Sequence, residues 1–168
     1  MTRLFTARQT SAKLLITGIF LLLLILLYQA WSNWWTLLAF VAAYCAGVGL
    51  LFLDEHYLYQ FYQDKIDKPT NNDTHFPELI SRNTLFLLSL PFLSIFVFTS
   101  SGSLPGIALV LALNCYLLIE LWQLRPEYLL FKDRFLQMMQ IQASRQLVDR
   151  ICMVATAYFF ILLGVLIL

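Results

Sequence analysis

The densest group of ionisable residues is Asp54, Glu55 and His56, which directly follow a long apolar run. A carboxylate beside an imidazole could bind a metal ion or transfer a proton. Consecutive residues of a helix point about 100° apart, so this triplet does not converge on one ion. His75 and Glu78 could complete a site, but a proline between them excludes a regular helical pair. We therefore expect Asp54, His56 and His75 to mark a membrane boundary and to form no metal or catalytic site.

Glu120 is the second candidate, because it directly follows another apolar run. A carboxylate at the centre of a bilayer costs about 2.5–3.5 kcal/mol even on the mildest insertion scale. Such a group could belong to a proton or cation pathway, or it could form a structural ion pair. Arg82 reaches the same depth if the flanking helices form a hairpin, and Arg125 is the alternative partner. We favour an ion pair between Arg82 and Glu120.

Motifs of the common enzymes are absent from the sequence. It contains no G-x-S-x-G, H-E-x-x-H, P-loop or G-x-G-x-x-G pattern. The three cysteines, Cys45, Cys115 and Cys152, form no C-x-x-C or zinc-ligand spacing. The net charge of +1 gives no basic surface for nucleic acid. We expect no catalytic residue, cofactor or metal, and no nucleic-acid partner.

Three charge-free apolar runs must position these residues: 14–53, 83–119 and 151–168. A helix needs about 20 residues to cross a bilayer, so the runs predict two, two and one crossings. The chain is 60% hydrophobic, whereas soluble domains are about 45–50% apolar. We predict an all-α, polytopic integral membrane protein with a single membrane domain, 1–168. The predicted spans are 14–30, 34–53, 83–98, 104–121 and 151–168, arranged as two hairpins and a C-terminal span.

The eleven Lys and Arg residues all fall outside these runs, in segments 1–13, 54–82 and 122–150. With five spans, the three segments face one compartment, and the positive-inside rule identifies it as the cytoplasm. The N-terminus is therefore predicted in the cytoplasm and the C-terminus outside. Residues 14–28 resemble the apolar part of a signal peptide, but tryptophans follow them where a small-residue cleavage site would be needed. We expect these residues to be retained as a membrane helix.

Helix packing is predicted from small residues in the second span. Ala39, Ala43 and Gly47 recur at intervals of four, and small residues at this spacing let another helix approach closely. The alternative is that alanine is simply common in membrane helices. Asn114, in the middle of the fourth span, should hydrogen-bond across a helix interface. These four residues form the predicted packing interface.

Two cytoplasmic segments carry apolar stripes at helical spacing, which predicts amphipathic helices at the membrane surface. The stripes consist of Leu58, Phe61, Tyr62 and Ile66 in the first segment, and of Tyr128, Phe131, Phe135, Met138 and Met139 in the second. Whether residues 127–150 lie on the membrane or continue the last span is left open by the sequence.

The polar residues are too few and too scattered to indicate one activity. We expect a non-catalytic subunit or scaffold of a membrane complex, or a homo-oligomer. The partners would be the lipid bilayer and other membrane chains or further copies of this chain. One alternative is a small transporter or channel subunit. A less favoured alternative is an enzyme that acts on lipid head groups at the cytoplasmic face.

Overall fold

The computed structural model describes residues 2–27, 33–54, 84–101, 103–136 and 144–167, and no strand occurs in these ranges. The first two helices, α1 and α2, cover Thr2–Leu27 and Trp34–Leu53. Helix α3 covers Thr84–Phe96 and continues as a π-helical turn, Val97–Ser101. Helix α4 covers Leu104–Leu124, the short α5 covers Tyr128–Phe135, and α6 covers Arg145–Ile167.

Among the described residues, three helices are long and apolar enough to cross a membrane, which indicates a helical membrane protein. They are Trp34–Leu53, Leu104–Leu124 and Arg145–Leu166. Ser11–Ile25 and Thr84–Ser100 are shorter apolar helices. The predicted all-α class is confirmed for the described residues, and the count of five spans stays a prediction.

Helix α4 is the centre of the bundle. Its side chains from Val110 to Leu117 are all buried, because the sequence is apolar on every side of the helix and neighbours surround it. The outer helices expose large apolar side chains, including Leu22 on α1, Phe92 on α3 and Phe160 on α6. This arrangement suits a bundle in lipid, where exposed leucine and phenylalanine need no burial in protein.

The helices alternate in direction around α4. Lys13, near the middle of α1, contacts Glu120, near the end of α4. Leu24, near the end of α1, packs in one cluster with Ile107 and Ala108, at the start of α4, so these two helices are antiparallel. Cys152, early in α6, donates a hydrogen bond to the carbonyl of Leu121, so α6 is also antiparallel to α4. Gly47 of α2 contacts the first half of α4 and Leu51 packs further along it. Helices α2 and α4 are therefore parallel.

The last helix begins at Arg145, whereas the charge-free run predicted a span starting at residue 151. A helix can continue past the membrane edge, where charged side chains reach water, so charge alone does not mark its start. Helix α5 contains the first part of the predicted second amphipathic stripe. The first predicted amphipathic segment lies outside the described residues, apart from Asp54. The predicted spans 34–53 and 104–121 correspond closely to α2 and α4.

Candidate functional site

A buried ion pair joins α1 to the central helix. Lys13 Nζ lies 3.7 Å from Glu120 Oε1, and the two side chains are only 4% and 1% exposed. The same ammonium group lies 5.5 Å from the ring centroid of Tyr116, within the range of a cation–π interaction. Tyr116 and Glu120 are one helical turn apart on α4, so they present both groups to Lys13.

Lys13 was not among the expected partners of Glu120. Arg125, the predicted alternative, pairs instead with Asp149: Arg125 Nε lies 2.6 Å from Asp149 Oδ1, at a half-exposed position. Arg82 lies outside the described residues, so its predicted pairing with Glu120 stays a prediction. The sequence did contain an indication that Lys13 could be the partner of Glu120. Lys13 directly precedes one charge-free run and Glu120 directly follows another, so both stand at a membrane boundary.

Further polar contacts extend from the ion pair towards α2. Thr17 Oγ1 donates to the carbonyl of Lys13 at 2.9 Å, and the hydroxyl of Tyr44 donates to the carbonyl of Thr17 at 3.2 Å. Tyr44 also packs in the same buried cluster as Cys115 of α4. These contacts connect α1, α2 and α4 through side chains that are buried in the bundle.

A second polar cluster joins α3 to α4 and α6. Asn114 Nδ2 donates to Ser94 Oγ at 2.9 Å and to the carbonyl of Val110 at 2.8 Å. Ser94, which is fully buried, donates in turn to the carbonyl of Leu90 at 2.7 Å. The hydroxyl of Tyr158 donates to the carbonyl of Pro91 at 3.3 Å. The Asn114 amide thus lies at the interface between α4 and α3.

The predicted small-residue stripe is divided between two faces of α2. Gly47 is buried against α4: a Cβ atom there would lie 2.9 Å from both Ala112 Cβ and the carbonyl oxygen of Leu109. Ala43 is half-buried, and Ala39 is exposed. Within the stripe, Gly47 therefore packs inside this chain, whereas Ala39 faces outward.

Of the residues predicted to mark a membrane boundary, Asp54 is among the described residues. Asp54 is buried at the end of α2, where its backbone N–H donates to the carbonyls of Leu50 and Leu51. His56 and His75 lie outside the described residues. Within the described segments, no group of three or more His, Cys, Asp or Glu side chains could hold a metal ion. The expectation that these residues bind no metal stays a prediction.

The chemistry of these contacts is that of helix association. In a bilayer, burying apolar surface does not drive helices together, so close packing and interhelical hydrogen bonds hold them. The two polar clusters and the Gly47 contact supply both kinds of interaction around α4. No family model, no curated protein and no solved structure matches the chain. Its function must therefore be inferred from this geometry.

Proposed function

We propose that the protein is a non-catalytic subunit or scaffold of a membrane complex, or a homo-oligomer, that crosses the membrane five times. The observation that carries this proposal is the outward face of α2. Inside the bundle, Lys13 binds Glu120 and Asn114 binds Ser94, so these polar groups join helices of the same chain. The small residues that remain exposed are then available to a helix of another chain.

The outward face of α2 consists of Ala39, Ala42, Cys45 and Ala46, all exposed. Gly49 continues it, and a Cβ atom at Gly49 would meet nothing within 4 Å. Small side chains let two backbones approach closely, which is the usual basis of helix association in lipid. A second helix could therefore pack here without disturbing the Gly47 contact on the inner side.

Five crossings are supported by the lengths and directions of the helices. Helix α1 has 26 residues, or roughly 39 Å at about 1.5 Å per residue, and α3 with its π-helical turn covers 84–101. At this rise the apolar part of α1, Ser11–Ile25, is roughly 22 Å long and residues 84–101 are roughly 27 Å long, so each approaches the thickness of a hydrocarbon core, about 30 Å. Helix α1 also runs opposite to α2, and α6 runs opposite to α4, as in chains that cross a membrane repeatedly.

The orientation is supported by tryptophans at both ends of the bundle and by exposed arginines at one of them. Trp34 and Trp35 are exposed at the start of α2, and Trp122 is partly exposed near the end of α4. Tryptophan concentrates at membrane interfaces, so these residues mark both surfaces. The exposed Arg145 and Arg150 lie at the Trp122 end, which we assign to the cytoplasm, with the N-terminus inside and the C-terminus outside.

Reporter fusions test this orientation. Reporters fused after Lys68 and Arg134 should report the cytoplasm, and reporters at Ser101 or after Leu168 should report the outside. A cytoplasmic C-terminus would exclude five spans and favour an even number.

Cross-linking through Cys45 tests the outward face of α2. Cys45 is exposed, whereas Cys115 and Cys152 are buried. In membranes treated with a mild oxidant or a short thiol cross-linker, we expect a cross-linked product that is lost in Cys45→Ser. Ala42→Leu and Ala46→Leu should weaken it, and Val154→Leu, at an exposed position on α6, should not. An equal yield in all three leucine variants would show that this face contacts only lipid.

A transporter or channel subunit is the second candidate, and the Lys13–Glu120 pair is what favours it. Ionisable residues buried in a membrane protein often mark ion pathways. In vesicles containing the purified protein, a cation or proton flux that disappears in a correctly folded Glu120→Gln variant would favour this function over the scaffold. We expect no such flux.

A further inference from the structure

The short helix α5 is apolar on two opposite sides. Phe131 and Phe135 are fully buried and pack in the same cluster as Leu121 and Val148, at the end of α4 and the start of α6. On the other side, Leu129 and Leu130 are 62% and 45% exposed. The inner side fixes α5 to the bundle, and the outer side presents leucines that no described residue covers.

Trp122 indicates the depth at which α5 lies. It is on the last turn of α4, partly exposed, and its Nε1 donates to Thr156 Oγ1 at 3.0 Å. The guanidinium carbon of Arg125 lies 4.9 Å from the Trp122 ring centroid. Because Trp and Arg at a helix end are typical of the headgroup level, α5 follows α4 into the interface between headgroups and acyl chains.

The charges beside α5 are predominantly basic. Arg145 and Arg150 are exposed at the start of α6, and Lys132 is half-buried on α5. Asp149 is already paired with Arg125, and Glu127 is the exposed acidic side chain nearby. Segment 122–150 as a whole has five basic and three acidic residues. An anion is therefore the complementary ligand.

We propose that this rim, made of α5 and the start of α6, binds anionic phospholipid. Leu129 and Leu130 lie against the upper acyl chains, and Arg145 and Arg150, which point about 140° apart on α6, each bind the phosphate of a neighbouring lipid. Guanidinium groups form paired, charge-assisted hydrogen bonds with phosphate oxygens. Basic residues at the cytoplasmic leaflet are attracted to anionic lipid, and the exposed apolar side chains of Met153 and Val154 follow Arg150 along α6.

Competitive lipid binding to the full-length protein in detergent micelles tests the proposal. The probes are fluorescent phosphatidylglycerol and fluorescent phosphatidylcholine. We expect the wild type to prefer phosphatidylglycerol. The Arg145→Gln/Arg150→Gln variant should lose roughly thirtyfold in affinity for it, at about fivefold per arginine. The Arg145→Lys/Arg150→Lys variant keeps the charges and should retain most of the preference.

A matched control removes the same charge elsewhere. Arg3→Gln/Arg8→Gln deletes two arginines from the N-terminal segment and should leave the preference largely intact. An equal loss in the two glutamine variants would indicate general electrostatic attraction and overturn a site at α5 and α6. Equal affinity of the wild type for both lipids would overturn it as well.

Two further measurements keep the test decisive if the glutamine variant at α6 does not fold. Binding of phosphatidylglycerol to the wild type should weaken between 0.05 M and 1 M salt, because the Debye length falls to about 3 Å at 1 M. Leu129→Ser/Leu130→Ser should weaken binding of both lipids equally and leave the headgroup preference unchanged. Salt-independent binding, or no effect of the serine variant, would show that lipid does not occupy this rim.

Discussion

Helices α2 and α3 both pack against α4, but they do so by different means. Helix α2 lies so close that Gly47 leaves no room for a side chain beside Ala112 and Leu109. Helix α3 is held by hydrogen bonds: Asn114 of α4 binds Ser94 inside the bundle, and Thr84 Oγ1 donates to the carbonyl of Phe135 on the neighbouring α5 at 2.7 Å. One central helix therefore uses both kinds of association that a bilayer permits.

The difference shows what each contact demands of the sequence. A close apolar contact depends on shape, so it fails when a side chain is added. A hydrogen-bonded contact depends on two polar atoms, so it fails when either is removed, although the backbones need not be close. The Lys13–Glu120 pair on α1 is the extreme case of the second kind, because both of its groups carry charge and are buried.

The largest effect is expected at this ion pair. Glu120→Lys would place two ammonium groups together in a buried position, and losing one partner of a buried pair destabilises by about 3–5 kcal/mol. Unfolding in mixed detergent micelles measures the change. The double exchange Lys13→Glu/Glu120→Lys should recover most of the stability. If it recovers none, then Lys13 and Glu120 do not stabilise the fold as a pair.

Gly47→Leu should come next, with a loss of about 2–3 kcal/mol. The added side chain meets Ala112 Cβ and a backbone oxygen at 2.9 Å, and overpacking a tight contact displaces the backbone. Gly18→Leu is the matched control, because a Cβ atom at Gly18 would meet nothing within 4 Å. Similar thermal stability of the two variants would contradict a close contact between α2 and α4.

The smallest of the three effects is expected at the contact of α3 with α4. Asn114→Leu removes one interhelical hydrogen bond, which in membrane proteins stabilises by about 0.6 kcal/mol and at most about 1.7 kcal/mol. Ser94→Ala should have a similar effect, and the two losses should not add, since they break the same bond. Ser89→Ala is the control, because Ser89 is exposed and its hydrogen bond among the described residues is to Phe86 of its own helix. Additive losses would show that Asn114 and Ser94 act separately.

The sequence predicted where the helices begin and end along the chain better than how each helix is rotated about its own axis. Apolar runs and charges indicate depth, so the bounds of α2 and α4 were located closely. Rotation decides which of several cations at one depth meets Glu120. Of those within the described residues, the partner is Lys13, and it was not selected because depth alone does not distinguish it.

The small-residue stripe illustrates the same limit. An interval of four residues advances about 40° beyond a full turn, so Ala39 and Gly47 differ by about 80° around α2. Gly47 is consequently buried against α4, Ala43 is half-buried and Ala39 faces outward. The composition of the stripe predicted close packing, but its spacing spread it over an inner and an outer face.

The molecular mass of the particle purified in mild detergent, with identification of every chain in it, tests the proposed scaffold function most directly. The chain alone has a mass of 19.5 kDa. We expect a particle that contains either several copies of this chain or a stoichiometric second membrane protein. Ala42→Leu or Ala46→Leu should lower the mass of this particle. A stable particle that contains one copy of this chain and no other protein would contradict the account.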